Sequence, residues 1–230
     1  MNRMKIKENL AEIEKNITAA CVLSGRERSE VTLAAVSKNN PPENIMAAYE
    51  NGIRIFGENR VQELTAKMEV LPTDIEWHLI GHLQRNKVKY IIGKVALIHS
   101  VDSLKLAREI SKEAAKNNII QDILIEVNVA SEDTKHGVSC AEAANLIKEI
   151  AYLQGIKIKG LMTIAPYVIN AEENRRYFKL LKQLSVDIAV KNVDNINVDL
   201  KILSMGMTGD YEVAISEGAD IVRIGTGIFN

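Results

Sequence analysis

The residues able to do chemistry in this chain sit at a few strand ends, and the first of them is Lys38. It closes the apolar run Val31-Thr-Leu-Ala-Ala-Val-Ser37-Lys38 and is followed by Asn39-Asn40-Pro41-Pro42. A lysine at the tip of a buried strand has two readings. It is an ion-pair partner, or it is an amine kept neutral by burial or a nearby cation and able to attack a carbonyl. Arg223, within the run Asp220 to Ile224, poses the same choice. A desolvated guanidinium needs a partner, either a carboxylate such as Glu126 or a bound ligand. Two glycine-rich stretches carry hydroxyls: Ser204-Met205-Gly206-Met207-Thr208-Gly209-Asp210 and Gly225-Thr226-Gly227. Backbone N–H groups at such turns, with Ser204 and Thr226, can cradle a phosphate without any lysine or arginine.

Other candidates are weaker. Glu58 and Asn59 follow Phe56-Gly57 and can reach a ligand, whereas Arg60, Gln62 and Glu63 suit a solvated helix face. His78 and His82 have the spacing of a metal pair, but it spans a strand end with Gly81 inside it. No Glu-rich or Cys-rich complement accompanies them, so no metal site is expected. Lys135-His136-Gly137 reads as a polar loop or a second site. Nucleophile-elbow, P-loop and dinucleotide patterns are all missing.

These residues need elements to position them. Ile6, Leu10, Ile13, Ile17 and Cys21 mark an amphipathic helix over residues 5 to 23, stopped by Ser24-Gly25. A unit of strand, loop, helix and glycine then repeats. Strands are expected at 31–37, 53–56, 76–80, 95–100, 122–129, 157–163, 201–204 and 220–224, with helices between them. Pro41-Pro42 opens one helix, Asp102 or Ser103 caps another, and Ser139 to Glu142 has the capping-box pattern. Gly52, Gly93, Gly155 and Gly218 each fall between a helix and a strand, where a left-handed residue is wanted. Regular βα alternation predicts a parallel sheet. Eight repeats at this length predict a single (β/α)8 TIM barrel, with an extra N-terminal helix and residues 1–230 as one domain; an open doubly wound sheet is the competitor. Barrel chemistry lies at the C-terminal strand ends, and phosphate is often held after strands seven and eight.

Composition narrows the partners. The 29 basic and 30 acidic residues leave a net charge of −1, with no footprint for nucleic acid or a membrane surface. No apolar run approaches the ~20 residues of a membrane helix, and the N-terminus lacks a signal peptide's apolar core. Two distant cysteines, Cys21 and Cys140, make no disulfide framework and suggest a cytoplasmic setting. Cys21 continues an apolar face; Cys140 falls in a helix first turn, which can lower a thiol pKa.

Taken together, eight segments resemble the pyridoxal phosphate homeostasis proteins. They are Ala35-Val-Ser-Lys38, Phe56-Gly-Glu-Asn-Arg-Val-Gln-Glu63, Trp77-His-Leu-Ile-Gly-His-Leu-Gln84, Glu126-Val-Asn128, Lys135-His-Gly137, Gly160-Leu-Met-Thr163, Leu203-Ser-Met-Gly-Met207 and Val222-Arg-Ile-Gly-Thr226. The resemblance implies a barrel of the alanine racemase N-terminal type that binds pyridoxal 5′-phosphate. Carried over by position, Lys38 would form a Schiff base with the cofactor aldehyde and Arg223 would face the pyridine nitrogen. Ser204, Met205, Gly206, Gly225 and Thr226 would surround the phosphate, Asn59 and His78 would line the pocket, and Lys135 would take part in transfer. A guanidinium accepts no proton, so it would leave the ring nitrogen unprotonated and weaken the cofactor as an electron sink. A racemase needs a further β domain, which is not expected after Asn230. The resemblance therefore implies a monomeric, non-catalytic carrier supplying apo-enzymes, with a racemase of the same fold as the alternative. The chain departs from the family pattern at Thr208-Gly209 and stops at Phe229-Asn230, which touches the rim of the phosphate site.

Overall fold

The computed structural model describes residues 3–132, 135–191 and 195–230. Eight parallel strands close into a barrel in sequence order: β1 (Thr32–Val36), β2 (Ile55–Glu58), β3 (Glu76–Leu79), β4 (Leu97–Val101), β5 (Gln121–Glu126), β6 (Ile156–Met162), β7 (Val198–Met207) and β8 (Ile221–Ile224). Closure runs through β1 and β8, where Ala35 pairs with Ile224. This is the expected TIM barrel, and the open sheet is excluded.

The helices are α1 (Arg3–Leu23), α2 (Pro42–Glu50), α3 (Val61–Met68), α4 (Leu104–Lys116), α5 (Cys140–Ile150), α6 (Arg175–Lys191), α7 (Tyr211–Ser216) and a short α8 (Thr226–Phe229). Their punctuation follows local chemistry. Gly52, Gly93, Gly155 and Gly218 all have positive φ, from 71° to 95°. Ser139 and Glu142 form the reciprocal capping box of α5, and Ser103 accepts from the Leu106 N–H to start α4. Residues 84–92 differ from expectation. They make a 3-10 segment, Arg85–Tyr90, that buries only Val88, too little of an apolar stripe to dock a full helix.

Two apolar layers define inside and outside. Ala34, Leu97, Leu124, Met162 and Ile221 come from five strands and pack together, which is possible only in the barrel interior. Their sequence neighbours Ala35, Ile98, Ile123, Leu161 and Val222 join the core between sheet and helices. Alternation thus gives each strand an inner and an outer face. α1 lays Ile6, Leu10, Ile13, Ile17, Ala20 and Cys21 into the outer core. Its Asn9 side chain donates to the Ile228 carbonyl at 3.0 Å, tying it to the last turn of the chain.

Candidate functional site

The inner face of the upper barrel is polar. Arg223 on β8 is buried and donates to Ser204 Oγ at 2.5 Å and to the Thr163 carbonyl at 2.8 Å. Ser204 lies 3.0 Å from His99 Nδ1, and His99 Nε2 lies 3.0 Å from His78 Nδ1. The chain of contacts therefore crosses the barrel from β8 through β7 and β4 to β3. Burial pushes the His78 pKa down to about 4, and that of His99 well below its ordinary value, so both rings are neutral at pH 7. Burial also lowers Arg223 to about 10, opposed by Glu126 and Asp210. It remains a cation, with two of its five N–H donors used on these partners. Glu126, on the inner face of β5, is raised to about 7 by burial and by Asp102, while Arg223 pulls it the other way. Among the described residues Arg223 makes no ion pair with Glu126. The guanidinium is held by a hydroxyl and a carbonyl instead.

The corner after β7 and β8 brings glycines and hydroxyls together on the rim. Ser204 is fully buried in the network below, and the Met205 side chain packs in the outer core. The accessible hydroxyls are Thr208 and Thr226, 3.1 Å apart, with the Gly227 N–H donating to Thr208 Oγ1 at 3.3 Å. The N–H groups of Gly209, Gly225 and Thr226 have no acceptor among the described residues. Asp210 does not occupy this corner. Its carboxylate accepts from the Met207 N–H and from Asn174, and so fixes the β7 turn. Gly206 has φ +91°, and a Cβ there would lie 2.5 Å from Ala214 Cβ; only glycine lets α7 sit this close. Gly225 abuts β1, where its Cβ would meet the Val36 carbonyl oxygen at 3.2 Å.

Lys38 stands two residues beyond Val36, on the same rim, and is exposed. It is not sealed in the core: β1 ends at Val36, and Asn39 follows Lys38 with φ +60°. Its backbone is nevertheless held on both sides by α3. Lys67 Nζ donates to the Ser37 carbonyl at 2.9 Å, and Glu63 accepts from the Asn39 N–H at 3.1 Å. Lys67 also pairs with the fully buried Glu58 at 2.6 Å, and Ser37 Oγ donates to the same carboxylate oxygen at 2.6 Å. Burial raises the Glu58 pKa, opposed by the bonds from Lys67 and Ser37; its other oxygen has no partner. Glu58 therefore lies on the outer face beneath Lys38, not among ligand-facing groups. Asn59, just past β2, is half-buried on the rim, with Gly81 packed so tightly that a Cβ would come 2.4 Å from the Asn59 oxygen.

Sequence reasoning missed His99, Thr208, Lys67 and the holding role of Glu63. Thr208 lay inside the glycine-rich stretch already singled out. His99 and Lys67 carried no local signal, because their partners are on other strands. Lys135 is half-buried and pairs with Glu132 at 2.9 Å. Cys140 does open α5, yet burial raises its thiol pKa, and the helix start does not reverse that; Cys21 is core.

Residues 9–230 match the alanine racemase N-terminal domain. A pyridoxal phosphate homeostasis protein of Aquifex aeolicus is 49% identical over 98% of both chains. The chain belongs to the pyridoxal phosphate homeostasis family. Among solved structures, PipY of Synechococcus elongatus without PLP superposes with a TM-score of 0.85 at 34% identity, covering 98% of this chain and all of that one. PipY with PLP bound gives 0.82 at the same identity and coverage. No helix of the described residues is long and apolar enough to cross a membrane.

Proposed function

We propose that this chain binds pyridoxal 5′-phosphate at the rim shared by β7, β8 and β1, and acts as a carrier that supplies it to apo-enzymes. The observation that carries the reading is one of adjacency. An exposed primary amine, Lys38, stands two residues beyond Val36, against which Gly225 of the hydroxyl-lined corner is packed. The donor set fits a phosphorylated pyridine aldehyde. Thr208, Thr226 and the free N–H groups of Gly209, Gly225 and Thr226 hold the phosphate, a better set than the buried Ser204. Arg223 offers its remaining donors to the ring nitrogen, with Asn59 and His78 bordering the pocket. The bound group supplies an electrophilic aldehyde and a conjugated ring. Arg223 donates but cannot accept a proton, so it favours an unprotonated ring and a weak electron sink.

Lys38 contributes the amine that holds the aldehyde as a Schiff base. Its exposure suits release: water and competing amines reach it, as they would not reach a lysine sealed in a core. The buried His78 and His99 are neutral, and Glu63 and Lys67 beside Lys38 are engaged with its flanking peptide groups and with Glu58. This supports storage over catalysis.

The test is an absorbance spectrum before and after borohydride, for the native chain and Lys38→Ala. A visible band that reduction removes is expected in the first and not in the second. A reducible band of equal strength in Lys38→Ala refutes the assignment. Delivery is tested by mixing loaded protein with an apo-enzyme and a trap for free cofactor. Reactivation no faster than release into the trap removes the carrier role.

A further inference from the structure

We infer that the rim holds a second site, for a divalent transition ion of the zinc, cobalt or nickel class, built by His82, Asp102 and His136. These side chains follow β3, β4 and β5, and one donor atom from each lies within 4.8 Å of the other two. His82 Nδ1 is 3.7 Å from Asp102 Oδ2, and the His82 and His136 rings stack at 4.2 Å with 14° between their planes. A tetrahedral shell with bonds of ~2.0 Å spaces its donors about 3.3 Å apart, so an ion would draw the two stacked rings out of parallel until their nitrogens converge beside Asp102. The pairing that sequence spacing suggests, His78 with His82, is not made. His78 is buried on His99, and the partner of His82 comes from a distant loop.

The backbones beneath the cluster are fixed. Gly81, beside His82, is wedged against Asn59 and accepts from Ser100 Oγ at 2.6 Å. Gly137, beside His136, has φ +105°, and a Cβ there would sit 2.8 Å from the Asn128 nitrogen. Val138 and Asn128 close that loop with bonds of 2.9 Å to the Glu126 carbonyl and 2.8 Å to the Val138 carbonyl. Asp102 immediately precedes the Ser103 cap of α4. Two imidazole nitrogens and one carboxylate oxygen match transition ions, whereas magnesium and calcium prefer oxygen throughout. Three protein ligands leave a position open. His82 also lines a cleft of about 510 Å³ with Asn59, Glu63 and Gln84. A surface His–Asp contact with no ion is the competing account.

The chain has four histidines, and His78 and His99 are buried. Any imidazole-dependent binding must therefore use His82 and His136. The experiment titrates the full-length protein with cobalt(II), followed by its visible d–d absorption, and displaces it with zinc(II) by calorimetry. One saturable equivalent is expected, weakened at least about tenfold in His82→Ala and in His136→Ala and less in Asp102→Asn. Both histidines are exposed, and unchanged melting curves will show that these variants fold. Cys140→Ser should bind as the native chain does. The inference falls if the native protein shows no saturable binding, if the double histidine variant still binds, or if Cys140→Ser abolishes binding. It does not depend on the cofactor reading.

Discussion

Lys38 is an exposed amine on a rigid mount, and the mount is electrostatic. Glu63 and Lys67, one turn apart on α3, hold the peptide groups on either side of it, and Lys67 is itself anchored by Glu58. A buried pair of this kind adds little net stability over apolar residues, yet removing one partner strands a charge and costs about 3–5 kcal/mol. Lys67→Met should therefore lower the urea midpoint strongly. Lys67→Met with Glu58→Gln should recover much of the loss, since the neutral amide keeps the Ser37 contact. Equal destabilisation in the single and double variants would show that Lys67 acts through packing alone. The borohydride-reducible band should weaken in Lys67→Met, because the Ser37–Lys38 peptide loses its anchor.

At the scale of elements, the eight strands and their glycine punctuation were legible because they rest on local rules: short apolar runs, caps and positive-φ stops. The exposure of Lys38 was not, since its place just past an apolar strand suits a buried amine and an exposed one equally. Nor was the inward face of Arg223, because parallel strands are apolar on both sides. It took Ile221 packing with Leu124 to assign it. Met205 and Ser204 show the same limit. Adjacent on β7, their side chains face opposite sides, Ser204 inward onto Arg223 and Met205 into the outer core. The close approach of α7 to β7 gives a direct prediction. Gly206→Ala puts a methyl 2.5 Å from Ala214 and 3.0 Å from the Tyr211 backbone at a left-handed φ. It should cost about 2–3 kcal/mol and weaken phosphate binding by displacing Thr208. An unchanged denaturation midpoint would mean that α7 yields freely.

Across the whole molecule, the barrel interior encloses groups whose titrations oppose one another. Glu126 has its pKa raised from 4.5 to about 7, so in the folded state it keeps a proton that the unfolded chain releases. Its contribution to stability is present below pH 4.5 and lost as pH rises through about 7, a change of roughly 3 kcal/mol. His78 is lowered from 6.5 to about 4, so its contribution is present above pH 6.5 and lost as pH falls through about 4, by a similar amount. Between pH 4.5 and 6.5 the two slopes nearly cancel. His99, shifted in the same direction as His78, leaves a net gain with rising pH. Glu126→Gln removes one side of this balance. In the cofactor-free protein, the stability of the variant relative to the native chain should climb by roughly 3 kcal/mol from pH 4.5 to 8, read from urea unfolding at each pH. Parallel profiles would show that Glu126 titrates as an ordinary surface carboxylate. In that case Asp102 and the barrel wall do not act on it as their burial and charge require.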